Sequence, residues 1–220
     1  MLSADHRRLS SILTIILSVW FLVVLAAGLA GVFESGSSRP PLAVLAAVAA
    51  PPLIFAAVYR ASRRFRDFAL AIDLRLLTAI QSWRVIGVVF LVLYSFGLLP
   101  GLFAWPAGAG DLAVGLAAPF VLLAMLRHDP TWRRQVAWLN VAGLVDFVGA
   151  VGTGVLTSNN AIGLMSDGAA RVSLGLLPLS LIPTFAVPLW TIFHIVSLLQ
   201  LRRTAETVSL RGASMASPSI

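Results

Sequence analysis

One aspartate within a long apolar segment is the residue of this chain that could do chemistry most directly. In a continuous helix Asp146 lies roughly 18 Å beyond Arg134, well inside a bilayer. An ionised carboxylate there costs on the order of 3 kcal/mol, so such acids are rare and usually functional. Gly143 and Gly149 share its helical face and would let a neighbouring helix approach closely. We predict that Asp146 faces the interior of a helical bundle and binds a proton or cation; the alternative is an acid that holds helices together.

Four further polar residues inside apolar segments could lie on a path to Asp146. His194 lies roughly 12 Å from the end of its helix, and Asn140 lies at a similar depth on another helix. The four are predicted to form an inner polar layer beneath Asp146: Gln81, Arg84, Asn140 and His194. His194 could relay protons near neutral pH. Two alternatives remain open, in which His194 is satisfied by hydrogen bonds within the bundle and Arg84 extends to the cytoplasmic surface.

Asp111 could provide an outer step on the same path. It follows Gly110 at the expected start of a helix. An aspartate in that position is favoured as a helix cap, because its carboxylate accepts backbone N–H bonds and complements the helix dipole. Capping is therefore the competing interpretation.

Several reaction types are excluded by composition. Without cysteine or lysine there is no disulfide, thiolate nucleophile, Schiff base or phosphate-loop lysine. The three histidines lack paired metal spacing, so we predict neither a metal site nor a cofactor. The run from Asp167 to Arg171 resembles the core of the CDP-alcohol phosphotransferase motif, but its Asp-Gly to Ala-Arg spacing is too short and further aspartates are missing. An enzyme is not predicted.

The segments that carry these residues are long enough to cross a membrane. The 220 residues are 59% hydrophobic and only 11% charged, and the apolar runs match the thickness of a bilayer. We predict an all-α, polytopic membrane protein, a six-helix bundle of three successive hairpins, with helices at about 10–33, 41–59, 81–99, 109–127, 135–156 and 180–201. The uncharged run that contains helix 1 is longer than a typical signal-peptide core, so we expect it to be retained.

Three connecting segments carry predictions of their own. Residues 62–79 have apolar residues at helical spacing and several arginines, which predicts an amphipathic helix on the cytoplasmic surface; the alternative is a solvated connector. Between residues 100 and 110, two prolines and three glycines predict a break in helical structure. That break is expected to be an outer loop or, alternatively, a segment that re-enters the membrane. The tail at 204–220 is predicted to be disordered.

The arginines fix the orientation. Of the 16, only Arg39 and Arg171 lie in the gaps on one side of the predicted helices. Because basic residues near span ends stay in the cytoplasm, both termini are predicted to be cytoplasmic. The net charge of +7 lies beside the spans and lacks a nucleic-acid-binding pattern, so anionic headgroups are the expected partner and nucleic acid is not. Arginine in place of lysine, in an alanine- and glycine-rich chain, indicates a bacterial inner membrane protein.

Two functions are compatible with these features. The first is a small transporter or channel component that moves a proton, an ion or a small solute by way of Asp146. The second is an accessory or assembly subunit of a membrane complex, or a homo-oligomer, docked through small-residue faces on helix 5 and on helix 1, where they are Ala26, Ala27, Ala30 and Gly31.

Overall fold

The computed structural model describes residues 4–36, 39–165 and 172–216, and these contain helices and no β-strand. The helices are α1 (Ala4–Leu29), α2 (Leu42–Ala61), α3 (Arg63–Leu70), α4 (Leu74–Ala79), α5 (Val88–Ser95), α6 (Gly101–Leu126), α7 (Trp132–Leu156) and α8 (Val187–Ala216). A 3₁₀ segment (Ile80–Gly87) joins α4 to α5, and a π-helical turn (Ile182–Ala186) precedes α8.

Six of the described helical segments could cross a membrane by length and composition. They are Ser10–Leu29, Leu42–Ala61, Leu74–Ser95, Gly101–Leu126, Trp132–Leu156 and Ile182–Arg203. At 20 to 26 residues each, they match the roughly 30 Å hydrocarbon core. The prediction of a six-helix membrane bundle is confirmed.

The connections between spans gather at two ends of the bundle. At one end, which we call the loop end, the Ala161 N–H donates to the Arg39 carbonyl at 3.5 Å and the Val172 N–H to the Leu98 carbonyl at 3.3 Å. At the other, the basic end, Gln200 Nε2 donates to the Ile72 carbonyl at 2.8 Å. The basic end holds α3, the turn at 127–131 and the arginines at 202 and 203.

The predicted helix at 62–79 is two helices, and only the first is separate from the spans. Ser62 Oγ accepts the Phe65 N–H at 3.2 Å and starts α3, whereas Asp73 Oδ1 accepts the Arg75 N–H at 2.8 Å and starts α4. Each of these residues is an N-cap. An N-cap in the middle of the segment marks the start of a new helix, so the segment is divided into two. The amphipathic helix is therefore Arg63–Leu70, and the third span begins at Leu74 instead of residue 81.

The prediction of a break at residues 100–110 is wrong. Pro100 has extended backbone angles (φ −70°, ψ 140°) just before α6, which begins at Gly101 and is 26 residues long. Pro106 lies inside the helix, where its missing N–H and its ring disturb only the local turn. Helix 4 is therefore longer than the predicted 109–127, at roughly 39 Å, and neither the loop nor the re-entrant alternative holds.

The glycines of this segment bring α6 close to its neighbours without breaking it. A Cβ on Gly108 would lie 2.7 Å from Leu91 Cγ, on α5, and one on Gly110 would lie 2.6 Å from Asp146 Cγ, on α7. Helices approach this closely only where a side chain is absent.

The last helix is longer than predicted. α8 continues through Ala216, so residues 204–216, which we expected to be disordered, are helical. Residues 217–220, like the motif at 167–171, lie outside the described residues.

Candidate functional site

Arg84 lies at the centre of a buried network that joins four of the six spans. Its Nε donates to Asp111 Oδ1 at 2.7 Å, and Nη2 donates to Asp146 Oδ2. Its Nη1 lies 3.2 Å from His194 Nε2. The planar guanidinium presents donors in fixed directions, so one arginine can hold partners on α6, α7 and α8 together.

The hydrogen bonds assign the form of His194. Arginine can only donate, so His194 Nε2 accepts from Arg84. His194 Nδ1 therefore carries the proton and donates to Asn140 Oδ1 at 2.8 Å. Asn140 Nδ2 in turn donates to the Val136 carbonyl at 2.7 Å. The histidine is thus a neutral imidazole held between an arginine and an amide.

The network is withdrawn from solvent to different degrees. The Arg84 side chain is 3% exposed, Asp146 is 9% exposed and Asp111 is 15% exposed. The Phe147 ring covers one face of the guanidinium, with its centroid 4.1 Å from Arg84 Cζ, a cation–π contact. Asp111 is therefore the member most accessible from outside the network.

A 3₁₀ segment sets the position of Arg84. In a 3₁₀ helix residues three apart share a face, and the buried residues of this segment are Gln81, Arg84 and Gly87. Gly87 faces Asp111, since a Cβ there would lie 2.7 Å from Asp111 Cγ. Gly143 faces Arg84, where a Cβ would lie 2.7 Å from Nη1. Side chains at these glycines would push the network apart.

A cavity of about 370 Å³ reaches this network from the loop end. Its lining includes four aromatic rings, Phe33, Phe90, Phe103 and Phe147, and its described charged residues are Glu34 and Asp111. Asp111 and Phe147 both contact Arg84. The loop-end cavity therefore ends against the ion-pair network.

The structure brings together five of the six predicted site residues. Asp146, Asn140, His194 and Arg84 are connected as a polar group, and Asp111 joins it directly. Gln81 is buried one turn away, with Nε2 on the Leu77 carbonyl at 3.4 Å and no partner for Oε1 among the described residues. That these residues carry an ion or solute stays a prediction.

Two interpretations of individual residues change. Arg84 does not extend to the surface, because it is buried against two carboxylates. Asp111 does not cap a helix, because it lies ten residues into α6, roughly 15 Å from its start. Phe147, Gly87 and Gly110 were not predicted to contact this network. One signal in the sequence could have predicted these ion pairs. If residues 101–126 form one helix, Asp111 and Asp146 both lie inside the membrane and both need a basic partner. Arg84 is deep in a span and could be that partner.

Among the described residues, no group of three or more histidines and acids is arranged to hold a metal ion. The contacts of the network are hydrogen bonds and ion pairs.

Comparison with known families places five of the six spans in one family unit. Residues 41–202 match the family described as Domain of unknown function (DUF8737). The chain belongs to this family. The matched residues include the whole network from Arg84 to His194.

A second comparison gives a partial likeness to a protein of stated function. The chain is 32% identical over 90 residues to the Fluoride-specific ion channel FluC of Bordetella petrii. The aligned part covers 38% of this chain and 64% of that protein, so the chain spans just under two thirds of the relative's length. No solved structure matches the chain significantly.

Proposed function

We propose that the protein is a small transporter or channel component that moves a proton, an ion or a small solute through the network around Arg84 and Asp146. The observation that carries the proposal is a buried group with two carboxylates and one guanidinium. Ionisable residues inside a membrane are costly and mark ion or proton pathways by default.

The charges in this network do not balance. With both carboxylates ionised, Asp111 and Asp146 supply two negative charges against one positive charge on Arg84, and His194 is neutral by its hydrogen bonds. An unbalanced charge in a low-dielectric site is expensive, so the network favours uptake of one proton or one cation. Binding and release of that charge is the elementary step of the proposed transport.

The loop-end cavity supplies access to the network from one side. It carries carboxylates at its mouth, Glu34, and at its floor, Asp111. Arg84, His194 and Asn140 lie beyond that floor, so a transported ion would have to pass or displace them. We infer that the network acts as the gate between the cavity and the basic end.

The orientation and location are part of the proposal. The arginine distribution supports a cytoplasmic basic end, with both termini inside, in a bacterial inner-membrane protein. The loop-end cavity then opens to the outer side. The partial likeness to a fluoride channel supports an ion as the transported species and makes fluoride one of the ions to test.

Flux through reconstituted protein tests the proposal. Liposomes that contain the purified protein and a pH-sensitive dye are given a gradient of protons, sodium, potassium or fluoride. The dye reports proton movement that accompanies ion flux, and a fluoride electrode records fluoride release. We expect ion-dependent flux in the wild type and a loss of at least tenfold in Asp146→Asn. The matched control is Asp129→Asn, which makes the same change at an exposed turn outside the spans. Equal flux in wild type and Asp146→Asn would exclude this residue from the mechanism.

The alternative is an accessory or assembly subunit, and α1 supports it. Ala26 and Leu29 on this helix are exposed, as is Ala30 just after it, and Ile15, Ile16, Leu22 and Val23 are more than half exposed. Its contact with the bundle includes Trp20 and Phe21 against Phe185, with ring centroids 4.7 and 5.2 Å apart. An assembly subunit would show no flux alone, and cross-links from α1 would capture a membrane partner.

A further inference from the structure

A second cavity lies at the basic end, where residues from three helices meet and two of these helices, α3 and α8, supply its arginines. Its volume is about 630 Å³, and its lining consists of Tyr59, Arg63, Arg66, Asp67, Leu70, Leu199, Arg202 and Arg203. Four arginines face one aspartate among these residues, an excess of three positive charges. We call this cavity the basic-end pocket.

Contacts that involve no arginine help to hold the pocket in shape. Gln200 Nε2 donates to the carbonyls of Ala69 at 3.4 Å and Ile72 at 2.8 Å, which ties the end of α3 to α8. Phe55, Ala69 and Val196 belong to one buried cluster beneath it. The short helix is therefore fixed against the spans, and its arginines are presented in a defined place.

Arg66 is oriented within the pocket and still has donors to offer. Its Nε donates to the Tyr59 carbonyl at 3.3 Å and Nη2 to the Arg60 carbonyl at 3.2 Å. Its Cζ lies 5.4 Å from the centroid of the Tyr59 ring. A guanidinium has five N–H groups, so three remain after these two bonds.

We propose that the basic-end pocket binds the phosphate of an anionic lipid headgroup. Guanidinium groups match phosphate oxygens in bidentate geometry, and a charge-assisted bond of this type is strong. The pocket lies at the ends of the second and sixth spans, at headgroup level, and Leu70 and Leu199 give it an apolar edge for the lipid's glycerol and upper acyl chains. Basic pockets between spans on the cytoplasmic side are suited to such headgroups. Asp67 opposes the ligand and is 3.5 Å from Arg203.

Lipid binding to the full-length protein in detergent tests this site. Native mass spectrometry would measure retention of dioctanoyl phosphatidic acid against dioctanoyl phosphatidylcholine. We expect the double variant R63Q/R202Q to bind phosphatidic acid about 30-fold more weakly, since each arginine near an anionic headgroup contributes a factor of about five. The double variant R127Q/R134Q removes the same charge from exposed positions elsewhere at the basic end and is expected to bind within about twofold of wild type.

Two further measurements distinguish binding in the pocket from attraction to general surface charge and from binding of free phosphate. Asp67→Asn removes the opposing charge without removing an arginine and is expected to tighten binding several-fold, an effect that misfolding would not produce. Equal weakening in both arginine double variants would overturn the pocket in favour of general surface charge. Equal retention of phosphatidylcholine, or full displacement of phosphatidic acid by millimolar inorganic phosphate, would overturn a lipid headgroup as the ligand.

Discussion

Substitution of Arg84 tests whether this site is a charge network or an ordinary group of buried polar residues. Arg84→Gln leaves Asp111 and Asp146 facing each other's charge without a cation between them. At the 2.7 Å Arg84–Asp111 separation, and with an effective dielectric constant of about 20, the Coulomb attraction is about 6 kcal/mol. Much of this offsets the cost of desolvation, and removing one partner of a buried pair typically costs about 3–5 kcal/mol. We expect Arg84→Gln to lower the free energy of unfolding by that amount.

The two carboxylates make the expected effect asymmetric. Asp146→Asn leaves a balanced Arg84–Asp111 pair and loses one charge-assisted hydrogen bond, so its expected cost is smaller, about 1.5–3 kcal/mol. Combined with Arg84→Gln, the same change removes one of two uncompensated negative charges. The double variant is therefore expected to be more stable than Arg84→Gln alone.

Tryptophan fluorescence in mixed micelles with increasing dodecyl sulfate would measure these unfolding free energies. The chain has six tryptophans to report the transition. Arg134→Gln, at an exposed position near the start of α7, controls for general loss of positive charge. An Arg84→Gln variant no less stable than Arg134→Gln, or a double variant less stable than Arg84→Gln alone, would refute the charge network.

Three other expectations can be checked separately. Gly143→Ala should destabilise the protein by about 1–3 kcal/mol, because the added Cβ would contact the network. Gly149→Ala should leave stability unchanged, because there is open space around that position. Thermal unfolding of the two variants in detergent would compare them. In the cysteine-free chain, Ala161→Cys should react with an impermeant maleimide from outside intact cells and Thr131→Cys only after lysis; the reverse pattern would invert the proposed orientation. Asp129 Oδ1 accepts hydrogen bonds from the hydroxyl and the N–H of Thr131, which hold the pKa of its carboxyl group below the usual value. Its contribution to stability should therefore be present above about pH 3.9 and lost as pH falls through the lower folded-state pKa, so Asp129→Ala should differ from wild type at neutral pH and converge with it in acid.

The amino-acid sequence was sufficient for the number of spans and for much of the polar network. Span length depends on local apolar composition, and a lone charge in such a segment has to turn inward because lipid cannot solvate it. Depth along a helix then follows from 1.5 Å per residue, which placed Asn140 and His194 at a similar level. Each of these properties depends on a single segment of the chain, so it can be predicted without knowledge of the tertiary structure.

Tertiary contacts decided the remaining features. Considered locally, Gly108 and Gly110 predict a break in the helix. In the bundle they are the positions at which Leu91 and Asp146 pack against α6, and the helix continues through them. Asp111 has the local signature of a cap, and only the approach of the third span at Gly87 makes it a partner of Arg84. A residue whose role depends on a neighbour distant in sequence carries no local signal of that role, because the energy that fixes it is shared between helices.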